Sequence, residues 1–122
     1  MKNSVSLYIF IMVSLIFTSC YYDNEEELYP EDTCKTDDMS YSNDIVPILE
    51  DNCYSCHDQA NNQGGVTLEG YSNLKAYVDN GKLLGAIKHE PGFSEMPQDE
   101  PQLEQCQIDK IEAWIDQGAL DN

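Results

Sequence analysis

The segment from Cys53 to His57, with the sequence CYSCH, constrains the fold of this chain more than any other feature. It carries two thiols three positions apart and an imidazole directly after the second thiol. This is the spacing needed for covalent haem attachment, because each thiol can add to one vinyl group of a porphyrin and the imidazole is then held under the iron. The motif therefore predicts one covalent haem c, attached through Cys53 and Cys56, with His57 as the proximal iron ligand.

Three other interpretations of the motif account for fewer of its residues. A structural zinc site would need a second close pair of ligands, and the remaining cysteines and histidine do not form one. A redox-active C-x-x-C motif is expected near a βαβ pattern, which the sequence lacks. A simple disulfide between Cys53 and Cys56 would leave His57 without a role. Haem attachment uses all three side chains.

The start of the chain resembles a bacterial lipoprotein signal. An apolar run follows Lys2 and ends in small residues before Cys20, and an acidic segment comes next. We expect residues 1–19 to be a signal peptide, with cleavage before Cys20 and lipidation of that thiol. Phe17 stands three positions before the cysteine, where leucine is usual, and an uncleaved N-terminal anchor is the alternative. Either outcome predicts export, and the lipoprotein signal predicts anchoring to a bacterial outer membrane, on its periplasmic side or at the cell surface.

Residues 20–40 have the composition of a flexible acidic tether. They contain eight acidic residues and one lysine, Lys35, with little aliphatic periodicity. The acidic cluster resembles the export signals of some surface lipoproteins, and a solvated spacer explains it equally well. The whole chain carries a formal charge of −17, which excludes nucleic acid as a partner and leaves a cationic protein partner open.

From Tyr41 onward the spacing of apolar residues is helical, and no strand alternation is present, so the sequence predicts an all-α domain over residues 41–122. We expect a first helix capped by Asn43 and running into the motif, a second capped by Ser72 and stopped by Gly81, a short third helix, and a C-terminal helix. A domain of about 82 residues is small enough that a staple, a metal or a cofactor often completes its core.

A haem bound through His57 has one further axial position. Met96 lies in a loop between a glycine and a proline, after the motif and before the last helix, so a rigid loop could hold its thioether against the iron. Met39 precedes the first helix, which is a poor place to fix a ligand. His89 is the other candidate, and an open axial position remains an alternative. The sequence predicts Met96 as the distal ligand.

The order of helix, C-x-x-C-H, loop, Met-Pro loop and final helix resembles the class I c-type cytochromes. It is more narrowly similar to the small single-haem domains of bacterial cytochrome c lipoproteins, and the likeness covers nearly all of residues 41–122. It is carried by the segments IVPILEDNCYSCH, GGVTLEGY, NGKLLGAIKH, SEMP and IEAWIDQGAL. The resemblance implies three to four helices around one haem, which packs between the first and last helices. It also implies a supporting core made by Trp114 with Ile108, Ile111 and Ile115.

The resemblance has two consequences for individual residues. Because the first and last helices are neighbours in that fold, it implies a disulfide between Cys34 and Cys106. It also raises a question, since mitochondrial-type members have a proline soon after the motif whose region supplies a carbonyl to the proximal imidazole. This chain has no proline between His57 and Pro91, so the group that orients His57 stays open. The glycine pair at 64–65 is expected either to let the backbone pass near the haem or to form an ordinary turn.

These features predict an electron carrier and not an enzyme: a lipid-anchored monohaem cytochrome c with His/Met ligation and redox protein partners, one of which carries a basic docking patch. No general base, nucleophile or substrate pocket is evident from the sequence. Two alternatives remain open at this point. One is a haem enzyme or gas sensor with an open axial site. The other is a module in which haem stabilises the fold within a larger redox complex.

Overall fold

The computed structural model describes residues 34–122, and the elements within that range are helical, with no strand, so the predicted all-α class is confirmed there. A π-helical turn and a 3₁₀ turn accompany five α-helices. In chain order the elements are the π turn Tyr41–Ile45, α1 (Val46–Asn52), α2 (Tyr54–His57), the 3₁₀ turn Gln63–Gly65, α3 (Tyr71–Asp79), α4 (Lys82–Ile87) and α5 (Gln105–Asp116). Within the described range, no helix has both the length and the apolarity needed to cross a membrane. The predicted signal peptide, Cys20 and residues 20–33 lie outside the described residues.

The first helical segment starts earlier than the sequence indicated. Ser40 caps it, because the Ser40 hydroxyl accepts from the Asn43 amide and the Asp44 carboxylate accepts from the Ser40 amide at 2.9 Å. This reciprocal pair satisfies amides that have no helical partner at a helix start. The prediction that Asn43 is the cap is therefore wrong. Pro47 falls in the first turn of α1, where its missing N–H costs little.

The second predicted cap is also wrong. Helix α3 begins at Tyr71 and its N-cap position is Gly70, whose φ of 89° belongs to glycine more than to other residues. Ser72 is exposed within the first turn and makes no capping hydrogen bond. Gly81, at φ 73°, separates α3 from α4 as the sequence predicted for a stop residue.

The core lies between the first helical segment and α5. Trp114 is fully buried, and its ring stacks on Tyr41 with the centroids 5.8 Å apart, while Tyr71 meets Tyr41 edge-on at 5.3 Å. Ile108 and Ile111 are buried beside them, and Ile115 is half-buried at the margin of this cluster. The remaining buried apolar side chains come from the π turn, α1, α3 and α4, and from the segments before, between and after the helices: Met39, Ile45, Ile48, Leu49, Leu68, Leu74, Leu83, Ile87, Leu103 and Ala119.

The folded unit begins at Cys34, so residues 34–40 do not behave as the tether that was expected to reach residue 40. Cys34 is joined to Cys106 by a disulfide. Met39 is buried, and its amide donates to the Gln117 side-chain oxygen at 2.8 Å. The side-chain nitrogen of Gln117 (Nε2) donates in turn to the Thr36 carbonyl at 2.8 Å. Composition alone indicated that this stretch is acidic and solvated. These long-range contacts instead hold it in the folded unit.

Candidate functional site

The C-x-x-C-H motif occupies one helical turn directly after α1. The amide of Cys53 donates to the Leu49 carbonyl at 2.8 Å, and the amides of Cys56 and His57 donate to the Cys53 carbonyl at 3.1 and 2.9 Å. Residues three and four positions apart on a helical turn are neighbours on one face. The local backbone therefore brings the two thiols and the imidazole to one side of α2. Both cysteines are free and half-buried.

The two thiols differ in their surroundings. Cys53 packs against the buried cluster, and this burial, with a smaller contribution from Cys56, raises the pKa of the Cys53 thiol to about 11. The thiol is consequently protonated at neutral pH. A redox-active C-x-x-C pair needs a readily formed thiolate, so the environment of Cys53 disfavours that interpretation of the motif.

The His57 ring is held by a backbone carbonyl. Its Nδ1 atom lies 3.2 Å from the carbonyl oxygen of Val66, and the carbonyl of His57 itself accepts from the Leu68 amide at 2.8 Å. A carbonyl can only accept, so this contact requires the hydrogen on Nδ1 and leaves the lone pair on Nε2. Neutral imidazole with a free Nε2 lone pair is the form that binds a metal.

Val66 is thus a candidate functional residue that the sequence did not indicate. It contributes through its main chain, so its side-chain type carries no signal. The only indication in the sequence that the backbone turns here is the glycine pair that precedes Val66. Gly64 and Gly65 have φ values of 63° and 72°, and this left-handed turn leads the chain back past His57. The preceding part of the loop is fixed by Asp58, whose carboxylate accepts from the amides of Ala60 and Asn61.

Met96 is anchored through both of its backbone groups. Its amide donates to the Ala86 carbonyl at 3.1 Å, and its carbonyl lies 3.0 Å from Nε2 of His89. The side chain is half-buried and, among the described residues, belongs neither to the buried cluster nor to the apolar side chains packed against it. Core packing therefore does not use the thioether. No hydrogen bond in the described range links Met96 to the motif.

Phe93 holds the start of the Met96 loop against α4. Its ring lies over Gly85, where a Cβ atom would come within 2.6 Å of three ring carbons. Gly85 is buried, whereas Phe93 is 39% exposed. A side chain at position 85 would therefore displace the ring and the segment that it anchors.

The surface around Met96 is anionic. Residues 90–104 contain five exposed acidic side chains and no lysine: Glu90, Glu95, Asp99, Glu100 and Glu104. Lys88, directly after α4, pairs with Glu112 of α5 at 2.8 Å, so this cation is already partnered. A protein that docks here meets an acidic surface around one partly exposed aromatic ring.

Two other features of the described residues lie apart from the motif. An open cleft of about 610 Å³ is lined by residues of the 37–39 segment, by Trp114 and by the C-terminal segment, and it contains none of the predicted ligands. Within residues 34–122, no group of three or more His, Cys, Asp and Glu side chains is arranged to hold a metal ion. The cysteine pair Cys34 and Cys106, which the resemblance implied, is joined in the structure.

The residues of the motif fit a covalently attached haem. Two unpaired thiols share one helical turn with an imidazole whose Nδ1–H is engaged and whose Nε2 is left with its lone pair. That donor set is complete on the proximal side. Met96 supplies a thioether that the core does not use, on a loop whose backbone is fixed.

The chain matches no family model, no curated protein and no solved structure. Its function is therefore inferred from its own residues and their geometry.

Proposed function

We propose that the protein is an electron carrier of the class I cytochrome c type. It binds one haem c through thioether bonds at Cys53 and Cys56, with His57 as proximal and Met96 as distal iron ligand. The hydrogen bond between His57 Nδ1 and the Val66 carbonyl is the observation that supports this proposal most strongly. It gives the imidazole the tautomer and the orientation of a metal ligand, and a histidine that merely follows two cysteines has no need of it.

A haem with both axial positions filled supplies one-electron redox chemistry without binding a substrate. The chain's own residues supply attachment, orientation and electrostatics. Cys53 and Cys56 hold the porphyrin edge, and the Val66 carbonyl draws on the Nδ1 proton of His57, which makes Nε2 a stronger donor. A thioether ligand raises the reduction potential relative to a second nitrogen ligand. With Met96 as distal ligand, the carrier therefore has a higher reduction potential than it would have with a histidine there.

The acidic surface of residues 90–104 gives the carrier a preferred kind of partner. Exposed charges of one sign steer association with a surface of the opposite sign, and they do so less as ionic strength rises. The partner is a redox protein with a basic patch, and the exchange rate between the two falls with added salt.

Attachment to the membrane is the second part of the proposal. Cys20 carries the lipid, and residues 20–33 connect it to the folded unit that begins at Cys34. Mass spectrometry of the mature protein tests this directly. A lipidated Cys20 at the mature N-terminus supports the anchor, and an intact residue 1 or an unmodified Cys20 contradicts it.

The reduced-minus-oxidised absorption spectrum of the purified mature protein tests the cofactor. We expect the α-band of a c-type haem that survives acid–acetone extraction, because the haem is bound by two thioethers. A colourless protein, or a haem that extracts into the solvent, would overturn the proposal. Cys53→Ala and Cys56→Ala each remove one thioether and should shift the α-band without abolishing attachment.

The distal ligand has its own test. The oxidised protein should show the weak near-infrared band of a Met–iron bond, and Met96→Ala should abolish it, lower the reduction potential and open the reduced iron to carbon monoxide. His89→Ala is the comparison for the competing ligand, and Met96→Ala should open the iron to carbon monoxide more completely than His89→Ala does. If the unaltered reduced protein binds carbon monoxide readily, the haem has an open site and the carrier assignment is wrong.

A further inference from the structure

His89 lies at an unusual place in the backbone. It follows the C-terminal end of α4 and has a φ of 54°, a left-handed conformation that is uncommon for residues other than glycine. Its amide donates to the Ala86 carbonyl at 3.3 Å, so it closes the helix end.

The His89 ring points at the Met96 loop. The side chain is 23% exposed, and its Nε2 lies 3.0 Å from the Met96 carbonyl oxygen. The oxygen can only accept, so Nε2 carries the hydrogen and donates it. On the other side of the ring, Nδ1 lies 4.0 Å from the carboxylate of the exposed Glu95, which is beyond hydrogen-bond distance. The contact to Met96 is the ring's one hydrogen bond among the described residues.

We propose that His89 is the positioning residue of the distal ligand: its Nε2–H, together with the Ala86 carbonyl, fixes the main chain of Met96 so that the thioether is presented in one direction. This inference rests on the proposed function, since it takes Met96 as the iron ligand. With both the amide and the carbonyl of Met96 hydrogen-bonded to α4 and its end, the direction of the Met96 Cα–Cβ bond is set before ligation. A ligand held in this way loses less freedom on binding than one in a mobile loop.

The proposal assigns His89 a role that differs from the distal ligation considered for it from sequence. An imidazole cannot donate Nε2–H to a carbonyl and bind iron through the same nitrogen. In the structure that nitrogen is engaged with the very loop that carries the competing ligand. His89 thus supports Met96, and its Nε2 does not compete for the iron.

Two amide substitutions separate positioning from a purely structural role. The side-chain nitrogen of glutamine reaches about as far as Nε2 of histidine, so His89→Gln keeps a donor for the Met96 carbonyl. His89→Asn is one methylene shorter and loses that donor, but asparagine suits the left-handed backbone better than glutamine does. A structural role therefore ranks Asn at or above Gln, and a positioning role ranks Gln above Asn.

The experiment uses the haem-loaded full-length protein and three measurements: thermal stability, the near-infrared Met–iron band, and amide hydrogen exchange at Met96. We expect His89→Asn to keep the melting temperature while its Met96 amide exchanges at least about fivefold faster, as loss of one hydrogen bond implies. Its Met–iron band should weaken and its reduction potential should fall. His89→Gln should retain the band and the slow exchange even where its melting temperature is lower.

Each remaining outcome overturns one claim. If His89→Asn keeps the full Met–iron band and slow Met96 exchange, the positioning role is wrong and the proposed function stands. If both variants lose the band in proportion to their stability, His89 acts only on the fold. If the unaltered protein has a c-type spectrum but no Met–iron band, the ligand assignment fails, and this inference fails with it.

Discussion

The Nδ1 atom of His57 lies 3.2 Å from the carbonyl oxygen of Val66, nine positions further along the chain. This contact joins helix α2 to the segment that follows the glycine pair. Because the acceptor is a main-chain oxygen, no side-chain substitution at position 66 removes it. The orientation of His57 consequently depends on the path of the backbone through the preceding turn, and that path depends on residues able to adopt a positive φ.

Gly65→Ala tests this dependence, and Gly81→Ala is its matched control. The two glycines have φ values of 72° and 73°, and a Cβ at either position would meet no other atom within 4 Å. Each substitution should therefore destabilise the protein by a similar amount, about 1–2 kcal/mol, because alanine disfavours this conformation. Urea unfolding measures that cost. Only Gly65→Ala should also raise the reduction potential, because a displaced Val66 carbonyl accepts less strongly from Nδ1 and leaves the imidazole a weaker donor.

If both variants kept the reduction potential of the native protein, the Val66 carbonyl would not tune the proximal ligand. If both variants shifted by the same amount, the potential would follow stability and not the His57 contact. The control makes the comparison direct, since Gly81 lies between α3 and α4 and not in the segment that contacts His57.

The sequence predicted those features that depend on side-chain type and spacing. Helical periodicity placed Ile108, Ile111 and Ile115 on one stripe beside Trp114. The structure buries Ile108, Ile111 and Trp114, whereas Ile115 is only half-buried. Both predicted N-caps were wrong, because several residues near each helix start are competent caps and the choice depends on a reciprocal partner such as Asp44. The main-chain acceptor of His57 could not be predicted at all, since a carbonyl has no side-chain identity.

The same distinction explains the domain boundary. Residues 34–40 are acidic and short of aliphatic residues, which indicates a solvated segment. Their fold depends on partners more than 70 positions away in the sequence, namely Cys106 and Gln117. Local composition contains no information about such contacts. The cysteine pair was accessible only through the resemblance, which implied that the first and last helices are neighbours.

Gly85→Ala should destabilise the protein and loosen the Met96 loop. The added Cβ would lie 2.6 Å from the ring of Phe93, so the ring must move away from α4. Overpacking of this kind costs about 1–3 kcal/mol, and the partial exposure of Phe93 places the expected loss at the lower end. Urea unfolding gives the stability, and the Met–iron band reports whether the loop still presents its thioether.

Phe93→Ala provides the control for that clash. On its own it should cost about 1–2 kcal/mol, because the ring is 39% exposed and its burial is therefore only partial. Combined with Gly85→Ala it removes the obstructing ring, so the double variant should be more stable than the sum of the single losses predicts. Strict additivity would show that the two positions do not interact through this contact, and that alanine at 85 acts elsewhere.

Replacing both members of the Cys34–Cys106 disulfide by serine should destabilise the protein without releasing haem. The bridge spans 72 positions, and closing a loop of that length restricts the unfolded chain by about 4 kcal/mol in the chain-entropy estimate. The loss should also loosen residues 34–40. Two hydrogen bonds of this segment are made with the Gln117 side chain, one by the Met39 amide and one by the Thr36 carbonyl. Limited proteolysis should then cut before Tyr41, and urea unfolding gives the cost. A variant as stable as the native protein would show that the remaining contacts of residues 36–40 with Gln117 and Asn122 are enough to fix this segment.

Stability should fall at alkaline pH, and Tyr54 should account for part of the loss. Burial, together with the charge that the adjacent Tyr41 acquires on ionising, raises the pKa of Tyr54 from its ordinary 10.0 to about 12. The folded state therefore holds the Tyr54 proton more tightly than the unfolded state does. The free energy of unfolding should be insensitive to this group below about pH 9. It should decrease from about pH 10 to about pH 12, because Tyr54 ionises in the unfolded chain but stays protonated in the folded protein over this range. Urea midpoints at pH 8, 10 and 11.5 measure how steeply stability falls with pH.

Tyr54→Phe removes the ionisable group and keeps the ring. Its stability should therefore fall less steeply with pH than that of the native protein, while its stability at pH 8 stays close to the native value. Tyr41→Phe should act in the same direction, because burial also raises the pKa of Tyr41. A Tyr54→Phe variant with an unchanged slope would show that alkaline unfolding starts at another group.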